Sequence, residues 1–96
     1  MNLAMLPPHM WQPVRDWVER GEPHPTRMGR FLRAVLLNDL RGAVFHADDI
    51  NRGHLVQWVQ FIYGEVPCLA HGSEERLLEW HRRGGLAGYA AERRIG

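Results

Sequence analysis

The hydrophobic positions near the start of the chain recur with the period of an α-helix. The first stripe, with i, i+3/4 and i+7 spacing, consists of Met10, Trp11, Val14, Trp17 and Val18. Pro13 fits only within the first four helical residues, where its missing N–H would have no helical partner, so the helix should begin near His9 or later. We expect it to end at Gly21. Residues 22–25 contain two prolines and predict an extended connector.

A second apolar stripe follows, with Thr26 as its expected N-cap. Its members are Met28, Phe31, Leu32, Val35 and Leu36. The opposite face carries Arg27, Arg30 and Arg33, for which a solvated helix back is the plain interpretation. If this helix continued, Asp39 would lie among the apolar residues, so either the helix breaks near Asn38 or Asp39 is buried and paired. Residues 40–46 allow one or two further turns.

The third periodic segment is apolar around most of its circumference. Asp48 or Asp49 is the natural cap, and the helix is predicted from about Ile50 to Tyr63, ending at Gly64. Its apolar residues are Ile50, Leu55, Val56, Trp58, Val59, Phe61, Ile62 and Tyr63. Such a helix must be covered nearly all round, so it is either central to the domain or a self-association surface. Asn51 falls inside the apolar arc.

The last clear helix has signals at both of its ends. Ser73 caps it, and Glu74–Glu75 complement the helix dipole in the first turn. Arg82–Arg83 lie in the last turn before Gly84–Gly85 end the helix. Residues 86–96 predict a short appended helix or a loose tail.

These segments together predict an all-α fold. No period-2 strand pattern occurs, so we expect a small bundle of about four helices with no sheet. Residues 1–85 form the helical domain, and residues 86–96 are the tail or short helix.

Composition narrows the function classes. The 96 residues carry a net charge of +1, and the 12 basic residues are all arginines. Near-neutral charge argues against a nucleic-acid coat. A chain this short buries limited surface, which favours a homo-oligomer. The lone Cys68 predicts an intracellular protein, and the apolar run at residues 1–6 is too short for a signal peptide or a membrane span.

Four polar residues lie at or near apolar helix positions, namely Asn38, Asp39, Asp48 and Asn51. In the structural interpretation Asp48 is a cap, Asn51 lies in a first helical turn, and Asn38–Asp39 mark a helix break. In the functional interpretation they line a pocket and hydrogen bond a ribose or base. Arg33, Arg41 or Arg52 would then contact phosphate, while Trp11 or Tyr63 would stack on a base.

Two catalytic or metal alternatives carry less weight. A zinc-type site would use His46, Asp48, Asp49 and His54, but these residues lack the spacing of an established metal motif. A hydrolytic site would pair Ser73 or Cys68 with His71, but neighbouring positions in a loop do not establish a triad. We therefore expect no enzyme activity, no catalytic residues, no metal and no cofactor.

One set of positions points to a family. The set comprises Phe31-Leu32-x-Ala34-Val35-Leu36-x-Asn38-Asp39-Leu40, Ala47-Asp48-x-x-Asn51, Phe61-Ile62-Tyr63, Pro67, Gly72-Ser73 and Trp80. Over nearly the whole chain this pattern resembles a family of short uncharacterised bacteriophage and prophage proteins. The chain departs from the family pattern at Thr26, where the family has glycine, and at His71, where it has tryptophan. The resemblance implies a phage accessory protein acting inside a bacterium and brings no catalytic residues.

The sequence hypothesis is therefore a non-enzymatic phage counter-defence protein. It would sequester a nucleotide-derived immune signal in the cytoplasm of the infected bacterial host, as a homo-oligomer assembled through the third helix and without binding nucleic acid or membrane. The ligand-binding residues would be Trp11, Arg33, Asn38, Asp39, Arg41, Asp48, Asn51, Arg52 and Tyr63. The alternative is a protein–protein inhibitor of a host defence complex, of the anti-CRISPR type.

Overall fold

Short helices separated by capping residues make up the fold. The computed structural model describes the backbone of residues 1–95 and the side chains of residues 1–92. This part contains seven α-helices and no strand: α1 Trp11–Arg15, α2 Arg30–Leu36, α3 Leu40–His46, α4 Asp49–Arg52, α5 Leu55–Glu65, α6 Glu74–Arg83 and α7 Gly85–Ile95. The all-α prediction is confirmed, although the helices are shorter and more numerous than the expected four. None of the described helices has the length and apolar content needed to cross a membrane.

The first predicted helix ends where expected but is not uniform. A 3₁₀ turn at Pro8–Met10 leads into α1, and Asp16–Arg20 continue it as a wider π-helical turn. Gly21 ends this run in the left-handed region with φ of +67°. That conformation suits glycine, which has no Cβ to clash with the backbone.

The predicted start of the second helix is wrong. Thr26 lies within a 3₁₀ turn at Pro25–Arg27. Its backbone N–H donates a hydrogen bond to the ring of His24, which is the N-cap of this turn. Met28 is then extended and buried, and α2 begins at Arg30 after Gly29. Pro25 presets the 3₁₀ turn through its fixed φ, and the extended Met28 prevents that turn from continuing into α2.

The third predicted helix is divided into two. Asp48 accepts the N–H of Asn51 and caps α4, as one of the two alternatives predicted. The helix then stops at Gly53, because His54 has a non-helical backbone with φ of −118°, and α5 begins at Leu55. α5 also extends past the expected end at Gly64 to Glu65. Glycine weakens a helix, which makes position 53 a natural place for the break.

Three tryptophans form the centre of the core, and each indole N–H has an acceptor. Trp17 donates to the carbonyl of Ala70 at 2.9 Å, and Trp80 donates to the carbonyl of Trp17 at 2.8 Å. Trp58 donates to the side-chain oxygen of Asn51 at 3.1 Å. All three rings are almost fully buried. These bonds avoid the free energy lost when a buried donor is left without a partner.

The last segment is helical and packs on the end of the first helical run. Tyr89 of α7 lies 5.4 Å from the ring of Trp80, and the guanidinium of Arg83 lies 5.1 Å from the ring of Tyr89. Gly85, with φ of +66°, crosses the backbone at Arg20–Gly21 so closely that a Cβ there would clash. α7 is thus fixed by aromatic packing and by a backbone crossing that only glycine allows.

The charged face of α6 contains a carboxylate, that of Glu79, which is held by two arginines. Hydrogen bonds from Arg82 and then Arg83 to the Glu79 carboxylate lower the pKa of Glu79 from 4.5 to about 2. A carboxyl whose pKa is lowered in the folded state stabilises that state above its unfolded pKa. That contribution disappears as the pH falls through the folded pKa.

We therefore predict that Glu79→Gln reduces the loss of stability between about pH 4.5 and about pH 2. The measurement is the free energy of unfolding in urea at several pH values. Glu22→Gln, a change of an exposed glutamate in the connector after Gly21, is the control and should leave the acid-induced loss as in the parent. Equal pH profiles for Glu79→Gln and the parent protein would show that these ion pairs do not contribute.

Candidate ligand-binding clefts

Two clefts share a wall where α2 meets α3. Ala34 and Asp39 line both of them. The first, here called the apolar cleft, has a volume of about 320 Å³ and lies between the α2–α3 pair and α5. The second, here called the basic cleft, has a volume of about 280 Å³ and is lined by side chains of α2 and α3. Each volume is near the lower end of the range for small-molecule sites, roughly 300–1,000 Å³.

The wall between the clefts exists because the helix breaks at residue 38. Asn38 has φ of +61°, a conformation that asparagine tolerates better than most residues. Asp39 then caps α3 by accepting the N–H of Gly42 at 3.0 Å. Of the two alternatives predicted for this segment, the helix break is therefore confirmed. Asp39 remains exposed, so its carboxylate is accessible.

The apolar cleft combines an apolar lining with a polar edge. Its larger apolar residues are Val35, Leu36, Leu40, Leu55, Trp58, Val59 and Ile62. Tyr63 also lines the cleft and is 88% exposed, so its ring is available to a ligand. Asn38, Asp39, His71 and Arg76 supply the polar groups. An apolar cleft with a few polar groups is the usual composition of a small-molecule site.

The loop before α6 brings His71 and Arg76 to this cleft. The N–H of Gly72 donates to the carbonyl of Leu36 at 2.8 Å, which ties the loop to the end of α2. Arg76 donates from Nη1 to the carbonyls of Cys68 and His71, each at 3.4 Å. Burial, and secondarily the charge of Arg76, lowers the pKa of His71. At neutral pH the cleft therefore presents one guanidinium and a neutral imidazole.

The basic cleft contains two arginines three residues apart on α2. Arg30 and Arg33 line it together with His46 from the end of α3. Arg33 pairs through Nη2 with the carboxylate of Glu74. Among the side chains that the structure describes, Nε of Arg33 is the one buried polar atom without a hydrogen-bond partner. An unpaired buried donor carries a free-energy penalty that a bound acceptor would relieve.

Asp48 and Asn51 lie apart from the clefts in a network that joins α4 to the N-terminal segment. Asp48 accepts the backbone N–H of Asn51 at 2.6 Å and contacts His9 Nε2 at 2.9 Å. The backbone N–H of Asn51 and the bond to His9 lower the pKa of Asp48. Asn51 is 2% exposed and also accepts the indole N–H of Trp58. Asp48 is thus a helix cap and Asn51 lies in the first turn of α4, as the structural interpretation of these two residues expected.

Three further predicted residues are also outside the clefts. Arg52 donates to the carbonyl of Ala47 at 2.9 Å and to Asp49 at 3.1 Å, which joins α4 to the end of α3. Trp11 is partly buried and donates to the carbonyl of Leu6. Arg41 is exposed on α3 and lines neither cleft. The structure thus brings together four of the nine predicted ligand-binding residues, namely Arg33, Asn38, Asp39 and Tyr63.

The sequence interpretation omitted Arg30, His46, His71 and Arg76 from the site. A signal for Arg30 was present, because it shares a helix face with Arg33 at i, i+3 spacing. His71 and Arg76 gave no such signal. They lie more than thirty residues after α2 in the chain, and only tertiary packing brings them to its side of the cleft.

The metal alternative finds no matching geometry in residues 1–92. No group of three His, Cys, Asp or Glu side chains there is placed to hold a metal ion. His54 instead contacts the carbonyl of Ile50 with its Nδ1. Ser73 accepts the N–H of Arg76 as the cap of α6, which is its predicted structural role.

Comparison with known proteins leaves the clefts as the main guide to function. No family model, curated protein or solved structure matches the chain.

Proposed function

We propose that this protein is a non-enzymatic binding protein for a phosphate-bearing nucleotide. The observation that carries the proposal is that an apolar cleft and a basic cleft share Ala34 and Asp39. Nucleotides combine a flat, largely apolar base with an anionic phosphate, joined by a sugar with hydroxyl groups. An apolar cleft next to a basic cleft can therefore bind the base and the phosphate of one nucleotide.

In this proposal the apolar cleft takes the base. Val35 and Leu55 pack against it, and the exposed Tyr63 ring stacks on it. Asp39 lies on the shared wall, where its carboxylate accepts a hydrogen bond from a sugar hydroxyl. Because Asp39 also lines the basic cleft, the phosphate binds on the Arg30 and Arg33 side of that cleft. Asn38 supplies both a donor and an acceptor for the base edge.

The basic cleft takes the phosphate. Arg30 and Arg33 present two guanidinium groups, which bind phosphate oxygens through paired, charge-assisted hydrogen bonds. The Nε of Arg33 has no hydrogen-bond partner but is shielded from solvent, so a phosphate oxygen reaches it only after the Arg33 side chain turns toward the cleft. Glu74 already neutralises part of the Arg33 charge, so Arg30 carries more of the expected affinity.

The resemblance to short phage-encoded proteins supports a biological role for this binding. A nucleotide-derived signal released by a bacterial defence system is the ligand we propose, and its sequestration is the counter-defence activity. The protein would act in the cytoplasm of the infected bacterium and needs no catalytic group for this role.

We predict that Arg30→Ala weakens nucleotide binding by about 10- to 100-fold, because a hydrogen bond to a charged group contributes about 1.5–3 kcal/mol. The measurement is isothermal titration calorimetry with cyclic dinucleotides and with ADP-ribose. Arg15→Ala removes an exposed arginine on α1, which lines neither cleft, and should bind as the parent protein does. Adenosine alone and pyrophosphate alone should each bind more weakly than the joined nucleotide.

Absence of binding by every nucleotide at millimolar concentration would overturn this proposal. Equal losses for Arg30→Ala and Arg15→Ala would show that the affinity comes from net charge alone. A product detected by mass spectrometry would replace binding with catalysis.

A protein–protein inhibitor is the second candidate, and one observation favours it. Phe45 and Leu40 on α3 are 80% and 72% exposed, although both are large and apolar. Exposed aromatic residues are enriched where proteins contact partners. If no nucleotide binds, this α3 surface is the candidate site for a host defence complex.

A further inference from the structure

The exposed side of α5 is unusual because it has no charged side chain before the last residue of the helix, Glu65. The outer face of α5 is defined by Val56, Gln57, Val59, Gln60, Tyr63 and Gly64, all of which are exposed. No charged residue occurs between Leu55 and Gly64. Solvated helix faces normally carry charged side chains, whereas the centres of protein interfaces are depleted of them.

Within the part of the chain that the structure describes, this face stays open to solvent. At 100° per residue, the buried residues Trp58, Phe61 and Ile62 lie on the opposite side of α5, against the core. Val56 and Val59 are 67% and 61% exposed and lie on the same side as Tyr63. The apolar pattern of this helix predicts that it is covered nearly all round. The core of the chain covers one side of it, and the other side remains exposed.

We infer that a second copy of this chain packs on the outer face of α5. In a two-fold dimer each surface meets an identical surface, so a charged patch at the axis would repel its own copy. The uncharged outer face of α5 avoids this repulsion. An antiparallel crossing near Gln60 places Val56 of each copy toward the Tyr63 end of the other.

The interface extends beyond α5, because an 11-residue helix is only about 16 Å long. A stable complex buries about 800 Å² on each partner, which is more than one short helix face provides. Leu40 is 72% exposed and lines the apolar cleft together with Val59 and Tyr63, so it extends the exposed apolar surface from α5 to the start of α3.

A second copy would also close the open side of the apolar cleft. Val59 and Tyr63 belong both to the outer face of α5 and to the cleft lining. Small-molecule sites usually bury about 70–90% of their ligand, which a half-open cleft in a single chain does not achieve. This last step rests on the proposed nucleotide binding, whereas the dimer itself does not.

The test is the mass of the protein in solution, without ligand. Sedimentation velocity at micromolar concentration should give twice the chain mass of 11.1 kDa. Val56→Glu should give the mass of one chain, because two new carboxylates would lie in an uncharged interface. Val56 is exposed and lies outside the cleft lining, so its circular dichroism spectrum should match that of the parent.

Two further variants make the result specific. Gln60→Glu introduces a charge near the proposed axis and should also give single chains. Leu78→Glu changes an exposed apolar residue on α6 and should remain a dimer. A parent protein that stays a single chain at about 100 µM, or a Val56→Glu variant that keeps the parent's mass, overturns the inference. The inference is also overturned if Leu78→Glu dissociates the dimer to the same extent as Val56→Glu. Nucleotide titration is independent of these masses, so failure of the dimer and failure of the binding proposal remain distinguishable.

Discussion

Gly85→Ala should lower the free energy of unfolding by at least about 3 kcal/mol, enough to unfold much of a chain this small. A Cβ at this position would lie 2.5 Å from the backbone N of Gly21 and 2.7 Å from the backbone N of Arg20. Backbone atoms cannot move aside as a flexible side chain would. The left-handed φ of +66° adds strain for any residue with a Cβ. The measurement is urea unfolding followed by circular dichroism.

Gly53→Ala is the matched control for this prediction. Gly53 has φ of −69° and ψ of −10°, and a Cβ there would make only ordinary contacts. Alanine at such a site usually increases stability by about 0.4–1 kcal/mol, because it restricts the unfolded chain. If both variants changed stability equally, the tight crossing of α7 over the first helical run would not be a feature of the folded protein.

Asn51→Ala should cost about 2–3 kcal/mol and lower the melting temperature by roughly 10 °C or more. The change removes the acceptor of the buried Trp58 N–H and leaves that donor without a partner. It also removes the contacts of Asn51 with Asp48 and His9. Thermal unfolding followed by circular dichroism measures the loss.

A double-mutant cycle with Trp58→Phe isolates the buried hydrogen bond. Without the indole N–H, Asn51→Ala should cost less than it does in the parent, because no donor is left unpaired. An unchanged cost would assign the effect to packing and to the contacts of Asn51 with Asp48 and His9. Asp39→Ala, by contrast, removes a single cap bond and should cost about 1 kcal/mol.

Local signals predicted the helix ends that depend on one side chain. Ser73 and Gly84 bound α6 as expected, and Asp48 caps α4. Each of these residues acts on backbone groups within a few positions, so the sequence contains the whole interaction. Asn51 was recognised as polar within an apolar arc, but its partner Trp58 could not be identified before the fold was known.

The errors occurred where local preferences compete with packing. Thr26 is a good cap by type, yet Pro25 and the buried Met28 place it in a separate turn. The apolar pattern across Gly53 runs continuously, so periodicity alone did not show the break there. Similarly, Arg76 reaches the apolar cleft only because a distant loop is tied to α2, a contact that no spacing in the sequence encodes.

The shortness of the helices has a consequence for how the protein unfolds. The longest of them in residues 1–95 span 11 residues. Isolated helices shorter than about 12–15 residues are marginal in water, so none of these has substantial stability of its own. Their backbone hydrogen bonds persist because the tryptophan-centred core holds the helices together. Helical content and tertiary packing should therefore be lost in one cooperative transition, with core amides exchanging only through global unfolding.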